Sequence, residues 1–166
     1  QRLFFIKFAK NIKKKVFFCE NQKLNNNSLT LMELKTLSEI EIISAPHSKI
    51  SEVDFENLTF GNVFTDHMLV CDYVDGAWQK PVIEPYAPFM IDPSAKVFHY
   101  GQAIFEGMKA YKDQQDDVWL FRPDENYHRF NKSATRMAMP EVPEDIFLGG
   151  LHRLLEIEKE WVKKGN

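Results

Sequence analysis

Lys96-Val97-Phe98-His99-Tyr100-Gly101-Gln102-Ala103-Ile104-Phe105-Glu106-Gly107-Met108-Lys109-Ala110-Tyr111 is the stretch on which the reading of this chain turns. Two aromatics, Tyr100 and Phe105, flank a glycine-containing turn, and the chain then runs into an alternating segment. Just downstream, residues 108–112 and 118–121 enclose Asp113-Gln114-Gln115-Asp116-Asp117, a polar loop of hairpin length. Upstream, His67-Met68-Leu69-Val70-Cys71-Asp72-Tyr73-Val74 reads as a strand ended by Asp75-Gly76, with a second apolar run over 77–83. An Asp-Gly pair between two such runs predicts a hairpin, because type I′ turns need positive φ at both central residues. Pro81, Pro85 and Pro88 predict that the return strand lies at an edge or ends early, since proline cannot donate to a ladder. The pattern is an antiparallel sheet.

Two helices follow the sheet. Pro123-Asp124-Glu125 is an N-terminal signature, with acids at the positive end of the helix dipole. Tyr127, Phe130, Ala134 and Met137 then recur at helical spacing, and Pro140 ends the run. The next helix is expected from Pro143-Glu144-Asp145, with Phe147, Leu148, Leu151, Leu154, Leu155, Trp161 and Val162 as its apolar side. Gly149-Gly150 inside it costs about 1 kcal/mol per residue relative to Ala, which calls for close packing against the sheet. Before the first strand, Ile40-Glu41-Ile42-Ile43 is a short edge-strand candidate, broken by Ser44-Ala45-Pro46-His47-Ser48. The expected organisation is a basic extension over 1–31, a segment with a short edge strand over 32–57, and a small α+β domain over 58–166, an antiparallel sheet with packed helices.

Composition bounds the function. The 166 residues are 44% apolar and 27% charged, which is globular and long enough for one ordinary core. No apolar run approaches the roughly 18–20 residues that span a bilayer. The net charge of −3 conceals an asymmetry. Residues 1–31 hold seven Lys/Arg against Glu20 alone, leaving 14 basic and 23 acidic residues in 32–166. Several readings compete for 1–31: a basic arm touching nucleic acid or an anionic membrane, an organelle presequence, or residues that are not native protein, with Met32-Glu33-Leu34 as the true start. Cys19 and Cys71 form no paired motif and read as structural thiols.

Motifs for phosphate loops, dinucleotides, zinc proteases and nucleophile elbows are missing, and His47, His67, His99, His128 and His152 lack metal-ligand spacing. No metal is expected. Asp66-His67 resembles part of a hydrolase triad only superficially, with no nucleophile in a suitable context. Arg129 is the candidate with chemistry behind it: a guanidinium forks onto two phosphate oxygens, and Arg129 points away from the centre of the apolar stripe, near Lys132 and Arg136. From spacing alone a solvated basic helix face explains it as well. Phe60, Tyr100 and Phe105, on composition alone, are core residues.

A resemblance changes those weights. Phe60-Gly61-Asn62-Val63-Phe64-Thr65-Asp66-His67-Met68, the Tyr100 to Tyr111 stretch, Leu120-Phe121-Arg122-Pro123, Asn126-Tyr127-His128-Arg129-Phe130 and Ser133-Ala134-Thr135-Arg136-Met137-Ala138-Met139-Pro140 stand in order over about 100 residues. Together they resemble the branched-chain amino-acid aminotransferases, pyridoxal-phosphate (PLP) enzymes of fold type IV, and only the N-terminal part of them. The resemblance implies that Arg129 holds the cofactor phosphate and that Phe60, Tyr100 and Phe105 wall the pocket for the substrate's branched side chain. It implies amino transfer between Leu, Ile or Val and 2-oxoglutarate in a cytoplasmic homodimer, with no nucleic-acid or membrane partner. Glu106, within Phe105-Glu106-Gly107, belongs to the match and reads as structural.

The family carries its Schiff-base lysine in a second, larger domain, and none of the lysines here, Lys109 included, stands in such a context. The expectation is therefore a small domain with the large domain absent, no catalytic residue of its own, and no activity alone. Two alternatives remain open. The same fold could serve a D-amino-acid transaminase or aminodeoxychorismate lyase, or the chain could be a stand-alone module that binds a phosphate ligand or a partner.

Overall fold

The computed structural model describes residues 2–5, 21–23, 40–58 and 61–164. Of 1–31, it gives two short backbone strands, β1 (Arg2–Phe5) and β2 (Asn21–Lys23); the other expectations for that extension lie outside the described residues. The fold is α+β, built on two mainly antiparallel sheets.

The larger sheet centres on β4 (His67–Val74), whose run Met68 to Cys71 is buried. β5 (Ala77–Trp78) returns along it as a hairpin with Tyr73 opposite Trp78. The turn is the one the sequence predicts: Asp75 and Gly76 have φ of 52° and 81°, both left-handed. β6 (Val82–Pro85) pairs antiparallel with β4 in the register Leu69 to Ile83, and β1 flanks the other side of β4. The return run, expected to lie at an edge or to end early, does the latter: β5 stops after two residues, and the chain resumes as β6, which is internal. β3 (Glu41–Ile42) lies outside β6 and pairs parallel to it. The prolines permit this because Pro81 precedes β6 and Pro85 is its last residue, so neither interrupts the ladder. The core reaches back to Ile40, which packs with Leu69, Ile83 and Leu154.

The smaller sheet is β2-β8-β7, with β7 (Ala110–Lys112) antiparallel to β8 (Val118–Phe121). Asp113 organises the connecting loop: its carboxylate accepts from the N–H groups of Gln115 and Asp117, both at 2.9 Å, and from the Trp119 indole at 2.7 Å. These side-chain bonds add to the loop's own backbone bonds, from the Asp113 N–H to the Asp117 carbonyl at 3.0 Å and from the Asp116 N–H to the Asp113 carbonyl at 3.2 Å.

Among the described residues three α-helices complete the fold. α1 (Lys96–Tyr100) follows an Asp92–Ser94 turn and ends at Gly101, whose φ of 59° stops the helix in the left-handed form. α2 (Pro123–Arg136) opens with Pro at its start and Asp124 and Glu125 in the first turn, as the sequence predicts. It buries Phe130, Asn131 and Ala134. The last helix, expected as one piece, is three: a π-helical turn over Asp145–Gly149, α3 (Gly150–Ile157), and a 3-10 turn over Lys159–Trp161. Gly150 sits where α3 crosses the sheet. A Cβ there would lie 2.4 Å from a methyl of Leu69, so the glycine admits the close approach. No described helix is long and apolar enough to cross a membrane.

Candidate functional site

The stretch between α1 and β7 belongs to no helix or strand, and its burial alternates residue by residue. Gln102, Ile104, Glu106 and Met108 turn inward; Ala103, Phe105, Gly107 and Lys109 turn outward. Ile104 and Met108 join the cores on that parity, and Met108 touches two of them. The same parity puts a carboxylate inside and a phenyl ring outside. The Glu106 side chain is 5% exposed, while Phe105 is 92% exposed.

What makes a buried Glu106 tolerable is α2. Arg129 donates Nε to Glu106 Oε2 at 2.6 Å and Nη2 to Oε1 at 2.5 Å, a two-point pair. Asn126, one turn earlier on the same helix face, donates to Oε1 at 3.2 Å, and the Gly107 N–H donates at 2.8 Å. The Arg129 bond is the foremost reason the Glu106 carboxyl sits below its ordinary value; burial opposes it, and Gly107 and Asn126 add to it. Glu106 in turn raises the Arg129 guanidinium. Glu106 is thus an anion at neutral pH, and the site is a fixed ion pair with its cation facing outward.

Arg129 lines a cleft of about 300 Å³ together with Gly107, Lys109, Arg122, Glu125 and Asn126. Its side chain is 67% exposed. Arg122, at the mouth of α2, adopts a left-handed φ of 47° and pairs with Glu125 at 2.9 Å. The lining is mixed, with Met108, Tyr111 and Phe121 beside the charged groups, and the exposed guanidinium gives it a donor for an anionic group. Of the other residues singled out from the sequence, Tyr100 is 80% exposed at the end of α1, and Phe105 is exposed on the outer face of the alternating stretch. Neither is among the residues lining the cleft, and Phe60 lies outside the described residues.

Asp66 and His67 form a brace rather than a catalytic pair. His67 Nε2 accepts the Ala45 N–H at 2.8 Å, so Nδ1 carries the ring hydrogen and donates it to Glu158. Glu158, 2% exposed, also accepts the N–H groups of Asp66 and His67. Burial pushes the Glu158 carboxyl up, and those bonds offset it only in part. Burial also raises Asp66, but the Lys49 N–H, the Ser48 hydroxyl and the Trp161 indole together bring it below its ordinary value. The brace ties residues 45–49 to β4 and to the end of α3. Among the described residues no group of three or more His, Cys, Asp or Glu could hold a metal.

Sequence reasoning missed one polar residue that shapes this region, Asn131, and the partner of another, Glu106. Asn131 fastens the loop after α2 by taking the Val142 N–H at 2.8 Å and donating to the Val142 carbonyl at 2.9 Å. Glu106 was readable as structural but not as the partner of Arg129. The available signal was parity: in an alternating run, a carboxylate on the same face as Ile104 and Met108 needs a buried cation or donors.

No protein-family profile matches the chain. Individual relatives do. Branched-chain-amino-acid transaminase 1 of Bacillus subtilis is 53% identical over 112 residues, which is 67% of this chain and 32% of that protein. Branched-chain-amino-acid aminotransferase 2 of Bacillus subtilis is 47% identical over 116 residues, covering 69% and 32% of the two. The branched-chain-amino-acid aminotransferase of Mycolicibacterium smegmatis is 44% identical over 114 residues, covering 68% and 31%. The chain spans about a third of the length of the curated relatives it matches. These relatives are all amino-group transferases, which sets the class. Within it, the relatives are branched-chain aminotransferases, and the chain is similar to their N-terminal third.

Proposed function

We propose that this chain supplies the cofactor-phosphate anchor and one wall of the substrate pocket of a branched-chain aminotransferase. The observation that carries the reading is Arg129, a two-thirds exposed guanidinium fixed by a buried carboxylate at the edge of a cleft of mixed polar and apolar lining.

The cleft fits a phosphate in its chemistry: Arg129 offers N–H groups to it, with Asn126 beside them. When bound, PLP supplies the electron sink through which an amino group is transferred. The chain's own residues bind and shape. Arg129 holds the phosphate, and Glu106 and Asn126 hold the cation side of the cleft together. Phe60, Tyr100 and Phe105 close over an apolar side chain and exclude water from it. Leu, Ile and Val offer only apolar surface, and each methylene is worth about 1–3 kcal/mol of discrimination. The exposure of Tyr100 and Phe105 supports this role, since rings at 80% and 92% exposure have left this chain's core for another contact. On this reading the Tyr100 hydroxyl bonds near the cofactor or the substrate carboxylate.

The reaction so assigned is reversible amino transfer between Leu, Ile or Val and 2-oxoglutarate, in a cytoplasmic homodimer without nucleic-acid or membrane partners. None of the lysines here is assigned the role of covalent amine. The test is Arg129→Ala in the full-length aminotransferase that carries this domain. Expected is loss of PLP on dialysis, followed by the absorbance of bound cofactor. Retention equal to the unaltered protein refutes the anchor.

A further inference from the structure

We propose that Glu106 is a positioning residue: it fixes the side-on edge of the Arg129 guanidinium so that the end-on edge is presented to two oxygens of an anionic group in the cleft. This rests on the reading of Arg129 as a phosphate anchor and adds the device that aims it.

A guanidinium carries five N–H groups in a rigid fork. Glu106 engages Nε at 2.6 Å and one hydrogen of Nη2 at 2.5 Å, which is the side-on edge. The second Nη2 hydrogen and both on Nη1 remain, and the outer pair of these forms the end-on fork that matches two phosphate oxygens. The two side chains differ sharply in burial, 5% for Glu106 and 67% for Arg129. A surface ion pair leaves both partners wet and contributes little. Here the carboxylate is the fixed member. It is held by the Gly107 N–H and by Asn126, and its place inside follows from the alternation of the stretch. The exposed member is thereby restrained by the buried one. Other charges on the cleft are differently engaged: Arg122 pairs with Glu125, and Lys109 lies over the Tyr111 ring.

The experiment uses the 166-residue chain with inorganic phosphate and PLP as separate probes. Affinity is read by titration, and the Arg129 Nε–H is followed by nitrogen-edited NMR. In the unaltered chain that Nε–H should exchange slowly with water. Glu106→Gln should move it into fast exchange and weaken phosphate by about tenfold, the scale of freeing one immobilised side chain. Arg129→Lys, which keeps the charge but loses the fork, should weaken phosphate at least as much. Glu106→Asp keeps the charge but draws the carboxylate back by one methylene; its affinity should fall too, which covers the case in which Glu106→Gln does not fold. If the Glu106 variants bind phosphate like the unaltered chain while Arg129→Lys does not, the positioning role is overturned and the anchor stands. If Arg129→Lys also binds normally, or the unaltered chain binds neither probe, the anchor falls and the inference with it.

Discussion

Gly150→Ala should destabilise this protein, although helix propensity argues the reverse. In a helix, Ala is favoured over Gly by about 1 kcal/mol. At Gly150 the added Cβ would stand 2.4 Å from Leu69 Cδ2, 3.4 Å from Cδ1 and 3.5 Å from Cγ. Carbon atoms in contact prefer about 3.5–4.0 Å, so the nearest methyl must retreat by about 1 Å or more. Leu69 is 1% exposed and is enclosed by Ile40, Ile83 and Leu154, which leaves it no solvent to rotate into. Overpacking of this kind costs about 1–3 kcal/mol. Set against the propensity gain, the net is a loss of about 1 kcal/mol. The decisive form is a double-mutant cycle with Leu69→Ala, read by urea unfolding. Alone, Leu69→Ala should cost about 2–5 kcal/mol. Combined, the alanine methyl enters the vacated space and recovers its propensity gain, so the two changes should couple favourably by about 1–3 kcal/mol. A Gly150→Ala protein that is stabilised by about 1 kcal/mol, with a cycle additive within about 0.5 kcal/mol, would refute the packing argument.

Two glutamates should give the stability profile opposite slopes. Glu106 is held below its ordinary value by Arg129, so its contribution is present above the normal glutamate range and is lost as pH falls through its lowered value. Glu158 is raised by burial, so its contribution is greatest below that range and is lost as pH rises through its folded value. Urea unfolding from acid to neutral pH should therefore show Glu106→Gln flattening the acid limb and Glu158→Gln flattening the neutral side; unchanged slopes in both would contradict the assigned causes. The Cys71 thiol is pushed up to about 11 by burial first and then by Asp72 and Asp145. In a Cys19→Ser background, Cys71 should react with a thiol reagent far more slowly when folded than in urea, and equal rates would remove the buried, uncharged thiol.

What could be read from the sequence depended on whether a residue's partner was near it in the chain. The Asp75-Gly76 hairpin and the opening of α2 at Pro123 are local, because positive φ and an orphan N–H are properties of one turn. α1 escaped notice because its five residues bury no side chain, so no apolar period marks it. The close packing at Gly149-Gly150 was legible, but its partner was not, since Leu69 is 81 residues from Gly150. The same holds at the site. His67 and Glu158 are 91 residues apart, and nothing near either one announces the other. Arg129 and Glu106 are 23 apart on different elements, yet this pair left a trace. From Gly101 to Lys109 the alternation is regular, but its chemistry is inverted at one step, with the carboxylate on the core parity and the phenyl on the solvent parity. A sheet-like run normally buries the ring and hydrates the charge. Inversion costs free energy on both faces: the inward anion must find donors, and the outward ring must wait for a surface to cover it. The first demand is met within this chain by Arg129, Asn126 and the Gly107 N–H. The second is unmet by the residues described, since Phe105 stays 92% exposed. One step of the chain thus carries both halves of the proposed function, the cation aimed at an anionic group and the ring left for an apolar one.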